Sequence, residues 1–98
     1  MLVTAKLFAR LRLAIGKDRV EVNINGNKIA DLLEQLARDY PVKEILYDEK
    51  GNVVPLIVVI NNLETARITE TNTASANGLN KELNEGDEIS ILEQGCGA

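Results

Sequence analysis

Apolar and polar residues alternate in the first quarter of the chain, and this alternation predicts two β-strands. Residues 2–9 and residues 19–24 each carry apolar side chains at every second position, which is the period of a strand with one buried face. The inward positions are Val3, Ala5, Leu7, Ala9, Val20, Val22 and Ile24. A turn at residues 15–18 would join the two strands into an antiparallel hairpin.

A helical period follows the second strand. Apolar residues then recur at spacings of three and four, which predicts an amphipathic helix over residues 28–39. Asn27 is the expected N-cap, and Pro41 ends the helix because proline disfavours helical backbone in the residue before it. The positions expected to be buried are Ile29, Leu32, Leu33 and Leu36.

The middle of the chain predicts a short helical turn and then a buried strand. Residues 42–52 are typical of such a turn followed by a loop. Residues 53–60 are dense in β-branched side chains, which is typical of a central strand covered on both faces, with Pro55 near its start. Asn61-Asn62 is a favourable turn, because asparagine tolerates left-handed backbone.

Weaker elements complete the chain. A short strand over residues 63–69 and a mobile loop over residues 71–78 precede a Gly86-Asp87 turn and a last strand, Glu88–Leu92. A helix that crosses between two strands requires those strands to be parallel. The order predicts an α+β fold: a β-grasp roll, a mixed sheet of four to five strands with one main helix on one face, in a single domain spanning residues 1–98.

Composition excludes several functional classes. The 98 residues carry a net charge of −4, so neither nucleic acid nor an anionic membrane is an expected partner. The chain has no histidine, which excludes histidine catalysis and ordinary zinc sites, so no metal site is expected. One cysteine forms no internal disulfide. Without a long apolar run or a signal-peptide pattern, we expect a cytoplasmic protein.

Four phrases in order resemble the MoaD/ThiS family of ubiquitin-like sulfur carriers, in particular MoaD, the small subunit of molybdopterin synthase. They are "KLFARLR", "IADLLEQLARDYP", "VVINN" and "LNEGDEISIL". The resemblance spans nearly the whole chain. It implies a protein cosubstrate, not an enzyme: no catalytic residues and no bound cofactor, with ATP consumed by a separate activating enzyme.

The resemblance gives the end of the chain, "ILEQGCGA", its role. In the family a flexible tail ends in Gly-Gly, and its carboxylate is adenylated and converted to a thiocarboxylate. Here the flexible tail is residues 94–98, and the sulfur-carrying segment comprises Gly95, Cys96, Gly97 and Ala98. Ala98 stands at the family's terminal glycine. Either a matched activating enzyme accepts alanine, or the tail is first trimmed, or carrier chemistry has been lost.

The sequence also predicts a binding surface near the tail. Phe8 and Leu92 are predicted on the outer sides of neighbouring strands, and an exposed apolar patch marks a binding surface. Leu63 would extend this patch, and Arg10 and Arg12 would form its rim. The alternative is that the loop over residues 71–79 covers the patch. The resemblance implies two partners: an adenylating enzyme of the MoeB/ThiF type and a synthase large subunit of the MoaE type.

The sulfur acceptor implied by the resemblance is a molybdenum or tungsten pterin cofactor precursor. We favour MoaD-like over ThiS-like function because the segment over residues 41–53 is longer than in ThiS proteins. Two alternatives stay open: a ubiquitin-like modifier that forms isopeptide bonds through the same tail, and an interaction module with an inert tail. Cys96 is interpreted as a small residue that fits the tail rather than as a reactive thiol.

Overall fold

A computed structural model describes residues 1–68 and 78–93 of the chain. In chain order, its helices and strands are β1 (Leu2–Leu7), α1 (Ala9–Ile15), β2 (Arg19–Asn23), α2 (Ile29–Asp39), α3 (Lys43–Leu46), β3 (Leu56–Ile60), β4 (Glu64–Ile68), a 3-10 turn (Gly78–Asn80) and β5 (Glu88–Glu93). None of the helices in these two ranges is long and apolar enough to cross a membrane.

The five strands form one mixed sheet in the order β2-β1-β5-β3-β4. β1 pairs antiparallel with β2 and parallel with β5. β3 pairs antiparallel with both β4 and β5. The parallel pair of the first and last strands lies inside the sheet, which confirms the predicted β-grasp arrangement.

The core lies between one sheet face and α2. The helix contributes Ile29, Leu32, Leu33 and Leu36, each with no exposed surface. The strands contribute side chains from alternate positions: Val3, Ala5, Leu7, Val20, Val22, Leu56, Val58, Ile60, Ile68, Ile89 and Ile91. Burying one such large side chain contributes about 1.5–3 kcal/mol to folding. The helical and strand periods of the sequence therefore meet in a single core, as predicted.

The connection between β1 and β2 differs from its prediction. β1 ends at Leu7, and Ala9, predicted to face inward on the strand, is exposed and begins α1. Leu11 is fully buried and Ile15 packs against the core, so the four-residue spacing of a helix governs this segment. Gly16, at φ +83°, ends α1 and donates its backbone N–H to the carbonyl of Arg12 at 2.8 Å.

The start of α2 also differs from its prediction. Lys28, not Asn27, is the N-cap residue. Asp31 folds back over it and accepts a hydrogen bond from the Lys28 backbone N–H at 3.1 Å. A Cβ on Gly26 would lie 2.0 Å from an Asp31 carboxylate oxygen, so this carboxylate occupies space that only glycine leaves free. The end of the helix, directly before Tyr40 and Pro41, agrees with the prediction.

β3 is covered on only one face by the described residues, which corrects the prediction of two covered faces. Leu56, Val58 and Ile60 are buried, whereas Ile57 and Val59 are half-buried. The strand starts after Pro55, and Val53 forms an isolated bridge with Tyr47 instead. Most of the loop predicted over residues 71–78 lies outside the described residues, and Gly78 begins the 3-10 turn.

Candidate docking face and root of the carboxyl-terminal segment

The end of β5 lies in the interior of the sheet. Its pairing with β1 stops at Leu7 and Ile91, while its pairing with β3 continues through Ile57–Leu92 to Leu56–Glu93. The chain therefore continues beyond Glu93 from between β1 and β3. The predicted sulfur-carrying residues, Gly95, Cys96, Gly97 and Ala98, lie outside the described residues.

An apolar patch lies beside this root, on the sheet face opposite α2. We define it as Phe8, Ile57, Val59 and Leu92. The Phe8 side chain is 38% exposed. The backbone of Phe8 is extended, so its side chain points to the opposite face from Leu7, which faces the core. Leu92 is half-buried and pairs with Ile57. The register therefore brings Phe8 and Leu92 to the same end of neighbouring strands.

Sequence reasoning missed Ile57 and Val59. Their apolar character predicts a strand covered on both faces, whereas the two side chains supply half of the patch. Strand alternation within LIVVI assigns both to one face. Only the pairing of β3 with β5 identifies that face as the one carrying Leu92.

Leu63 lies apart from the other predicted contacts. It is 89% exposed and directly precedes β4, beyond the Ile60 end of β3. Leu92 pairs with Ile57, three residues before Ile60, which is a separation of about 10 Å along the strand. The structure therefore does not bring Leu63 next to Phe8 and Leu92, and Val59 lies between the two positions on β3.

Charged side chains border the patch on the β1 and β2 side. Lys6 and Arg19 approach Glu88 to 3.8 and 3.5 Å. Each such partly exposed pair contributes at most about 1 kcal/mol to stability. Ser90, between them and Val59, is only 6% exposed. The same sheet face thus changes from an ionic cluster of Lys6, Arg19 and Glu88 at the start of β5 to the apolar patch at its end.

Arg10 contacts the root itself. Its Nε and one terminal guanidinium nitrogen donate to Oε2 of Glu93 at 3.0 and 2.5 Å. The Glu93 side chain is 7% exposed, and its Oε1 is buried with no hydrogen-bond donor among the described residues. Arg12, the other predicted rim residue, is exposed on α1. Arg10 therefore joins α1 to the last residue of β5.

The groups that favour acid–base or metal chemistry do not gather at this face. Burial raises the pKa of Tyr47, and the negative charge of Glu34 raises it further. Tyr47 lies in the connection between α3 and β3, where it bridges Val53. Within residues 1–68 and 78–93, no three metal-ligating side chains come together.

Comparison with known proteins identifies a matching family. The model of the ThiS family matches residues 5–97, a range that covers most of the sheet, the patch and all but the last residue of the carboxyl-terminal segment. A search of curated proteins finds no match.

Solved structures resemble the whole chain. The small archaeal modifier protein 1 (SAMP1) from Methanosarcina acetivorans is 30% identical, with a TM-score of 0.69, over 99% of this chain and 96% of its own. SAMP1 from Haloferax volcanii is 23% identical, with a TM-score of 0.76, over the full length of both chains. A putative molybdopterin converting factor, subunit 1, from Pyrococcus furiosus is 21% identical, with a TM-score of 0.60, over 93% of this chain and 94% of its own.

Proposed function

Because the chain belongs to the ThiS family of small ubiquitin-like carrier proteins, we propose that it carries sulfur as a thiocarboxylate on its carboxyl-terminal segment. The observation that carries this proposal is the position of β5. This strand ends in the interior of the sheet, beside an apolar patch, so a partner that binds the patch meets the segment that begins at residue 94.

The chemistry needs an activated carboxyl group. A carboxylate oxygen attacks the α-phosphorus of ATP, pyrophosphate leaves, and an acyl-adenylate forms. A hydrosulfide ion from the sulfide source then attacks the acyl carbon, displaces AMP and loses its proton, which leaves a thiocarboxylate. The activating enzyme supplies the catalytic groups. This chain supplies the carboxyl group and a rigid surface that fixes where it is presented.

The residues of the segment suit this role. Gly95 and Gly97 have no side chain, so their backbone fits a narrow channel and adopts conformations closed to other residues. Ala98 adds one methyl group next to the carboxyl group. We propose that the activating enzyme either accepts this methyl group or receives a segment trimmed to a glycine.

Two partners follow from this role. An adenylating enzyme of the MoeB/ThiF type would load the carboxyl group, and a larger subunit of the MoaE type would receive the sulfur, both in the cytoplasm. The patch supports a shared docking site, because Phe8 is 38% exposed and Ile57, Val59 and Leu92 remain half-buried without a covering layer among the described residues. Apolar anchors of this kind contribute most of the binding energy in many interfaces.

For the acceptor we propose a molybdenum or tungsten pterin precursor. The Pyrococcus furiosus relative, a putative molybdopterin converting factor subunit, supports this choice. The segment between α2 and β3, with α3 and the Tyr47–Val53 bridge, is the extended connection on which the comparison with shorter ThiS proteins depends.

A second candidate is protein modification. The SAMP1 of Methanosarcina acetivorans, which is named a modifier, is 30% identical over nearly the whole chain. The two functions share adenylation and diverge afterwards, because a lysine amine rather than a sulfur nucleophile then attacks the acyl carbon. A third candidate, an interaction module without loading, would use the patch alone.

Intact-mass spectrometry tests the carrier proposal. The chain is incubated with an adenylating enzyme of the MoeB/ThiF type, ATP and a sulfide source, beside a variant that lacks residues 94–98. We expect the full chain to gain the mass that separates sulfur from oxygen, and the shortened chain to keep its mass. An unchanged mass for the full chain and for a version ending at Gly97 would contradict the proposal.

Denaturing electrophoresis of cell extract separates the carrier from the modifier. Bands above the free protein that survive denaturation with added thiol indicate isopeptide conjugates, because thiol cleaves thioesters and disulfides but not amides. We expect the free protein alone if sulfur transfer is its only function.

A further inference from the structure

Among residues 1–68 and 78–93, the last two residues of β5 have a strand neighbour on one side only. β1 pairs with β5 as far as Ile91, and within these ranges Leu92 and Glu93 pair with β3. On the other side the chain turns at Phe8 into α1. A strand end paired on one side opens more readily than the strand centre, yet it is this end that carries both Leu92 of the patch and the root of the segment.

Arg10, on α1, contacts the last residue of this strand end. Two nitrogens of its guanidinium donate to the same Glu93 oxygen, at 3.0 and 2.5 Å. The Glu93 side chain is 7% exposed, whereas the Arg10 side chain is 60% exposed. A buried carboxylate costs free energy unless a cation compensates it, and a charge-assisted hydrogen bond from arginine is the strongest compensation available to it.

We propose that Arg10 and Glu93 form a positioning pair that fixes the end of β5 and thereby the presentation of the carboxyl-terminal segment to its loading enzyme. This inference rests on the proposed function for its catalytic consequence. Its structural half, that Arg10 holds the end of β5 closed, is independent of that function.

Losing the pair would have two effects on loading: a longer segment beyond the sheet and a displaced Leu92. The five residues 94–98 reach at most about 17 Å from Glu93. If residues 92 and 93 opened, the chain between the fixed sheet and the carboxyl group would lengthen from five to seven residues, which lowers the effective concentration of its end less than about twofold. Displacement of Leu92 from the patch is the larger loss, because it removes a docking anchor. The pair should therefore act on KM rather than on kcat.

Variants at both positions test the pair. Arg10→Ala leaves the buried Glu93 charge uncompensated and should open the end of β5. Amide hydrogen exchange of residues 92 and 93 should then accelerate about tenfold, the effect of losing a hydrogen bond to a charged group, while exchange at Ile89 stays unchanged. KM for the loading enzyme should rise by a similar factor of about ten, with kcat within about twofold.

The double variant Arg10→Ala with Glu93→Gln removes the buried charge as well. We expect it to restore both exchange and KM most of the way to the wild-type values, a rescue that simple loss of a contact would not produce. Arg38→Ala is the matched control, because it breaks an exposed pair of the same residue types, Arg38–Glu34, on α2.

Failure of the proposed function and failure of the positioning pair give different results. A wild-type chain that is never loaded contradicts the proposed function, and hydrogen exchange then still decides the structural half. A loaded wild type with Arg10→Ala indistinguishable from Arg38→Ala, in exchange and in KM, overturns the positioning pair.

Discussion

Neighbouring residues on the last strand, β5, place their side chains on opposite faces of the sheet. Ile91 pairs with Val58, and both side chains are completely buried against the helix side. Leu92, one residue later, pairs with Ile57, and both are only half-buried. Most strand residues on the covered face are apolar, whereas the open face carries the ionic cluster of Lys6, Arg19 and Glu88 and, beyond it, the apolar patch. The covered face thus stabilises the fold, and the apolar part of the open face is available for a partner.

This division predicts that substitutions on the two faces affect different measurements. A truncation on the covered face should lower stability and reduce binding only through unfolding. A substitution on the open face should reduce docking while the protein remains folded. The predictions below test that separation, in order of decreasing expected effect.

The largest effect is expected on the covered face. Leu36→Ala removes a fully buried side chain at the centre of α2 and leaves a cavity. We expect the free energy of unfolding to fall by about 2–5 kcal/mol, measured by urea denaturation. A loss below about 0.5 kcal/mol would mean that α2 is not part of the core, and the comparison of the faces would fail.

The next effect concerns the open face. Phe8→Asp places a charge in the patch, and we expect affinity for the loading enzyme to fall by about 2 kcal/mol, or roughly thirtyfold. Stability should stay within about 0.5 kcal/mol, because Phe8 is 38% exposed. Calorimetric titration and urea denaturation of the same sample measure both. Unchanged affinity would show that partners do not use this patch.

A turn variant should change stability without changing docking. Gly86 has φ +84° and leads into β5, and a Cβ there would meet no atom within 4 Å. Gly86→Ala should therefore cost only the backbone strain, about 1 kcal/mol, seen as a lower Tm. Weaker docking at a temperature where the variant is fully folded would show that the turn contributes to the interface.

The smallest effect is confined to alkaline pH and lies outside both faces. The pKa of Tyr47 is raised above 10.0 by burial and by Glu34. Folding therefore favours the neutral phenol. The stability that the neutral phenol contributes is complete below the pKa of Tyr47 in the unfolded chain. It is lost as the pH rises through the pKa of Tyr47 in the folded chain. Above pH 10 the wild type should lose stability more steeply than Tyr47→Phe in urea denaturation, and equal slopes would contradict this.

The sequence was sufficient to predict the covered face. The three-and-four spacing of α2 and the alternation in the strands follow from burial of one stripe and one face, so local patterns carry the information. α1 was missed because Arg10, Leu11, Arg12 and Leu13 alternate like a strand, although the burial of Leu11 and Ile15 follows a helical spacing.

The open face was less predictable, because strand pairing defines it. The register between β3 and β5 places Ile57 and Val59 in the patch and separates Leu63 from Leu92. No local sequence pattern encodes this register. The Arg10–Glu93 pair joins residues 83 positions apart. Sequence reasoning predicted Arg10 as a rim contact for an acidic partner, whereas the structure pairs it with an acid of its own chain.

Tandem mass spectrometry of the loaded chain tests the central claim most directly, because it locates the sulfur. After incubation with the loading enzyme, ATP and a sulfide source, we predict one sulfur in place of one oxygen at the terminal carboxyl group, in the wild type but much less in Leu92→Lys. Sulfur added to the Cys96 thiol instead, or equal loading of both proteins, would contradict the account.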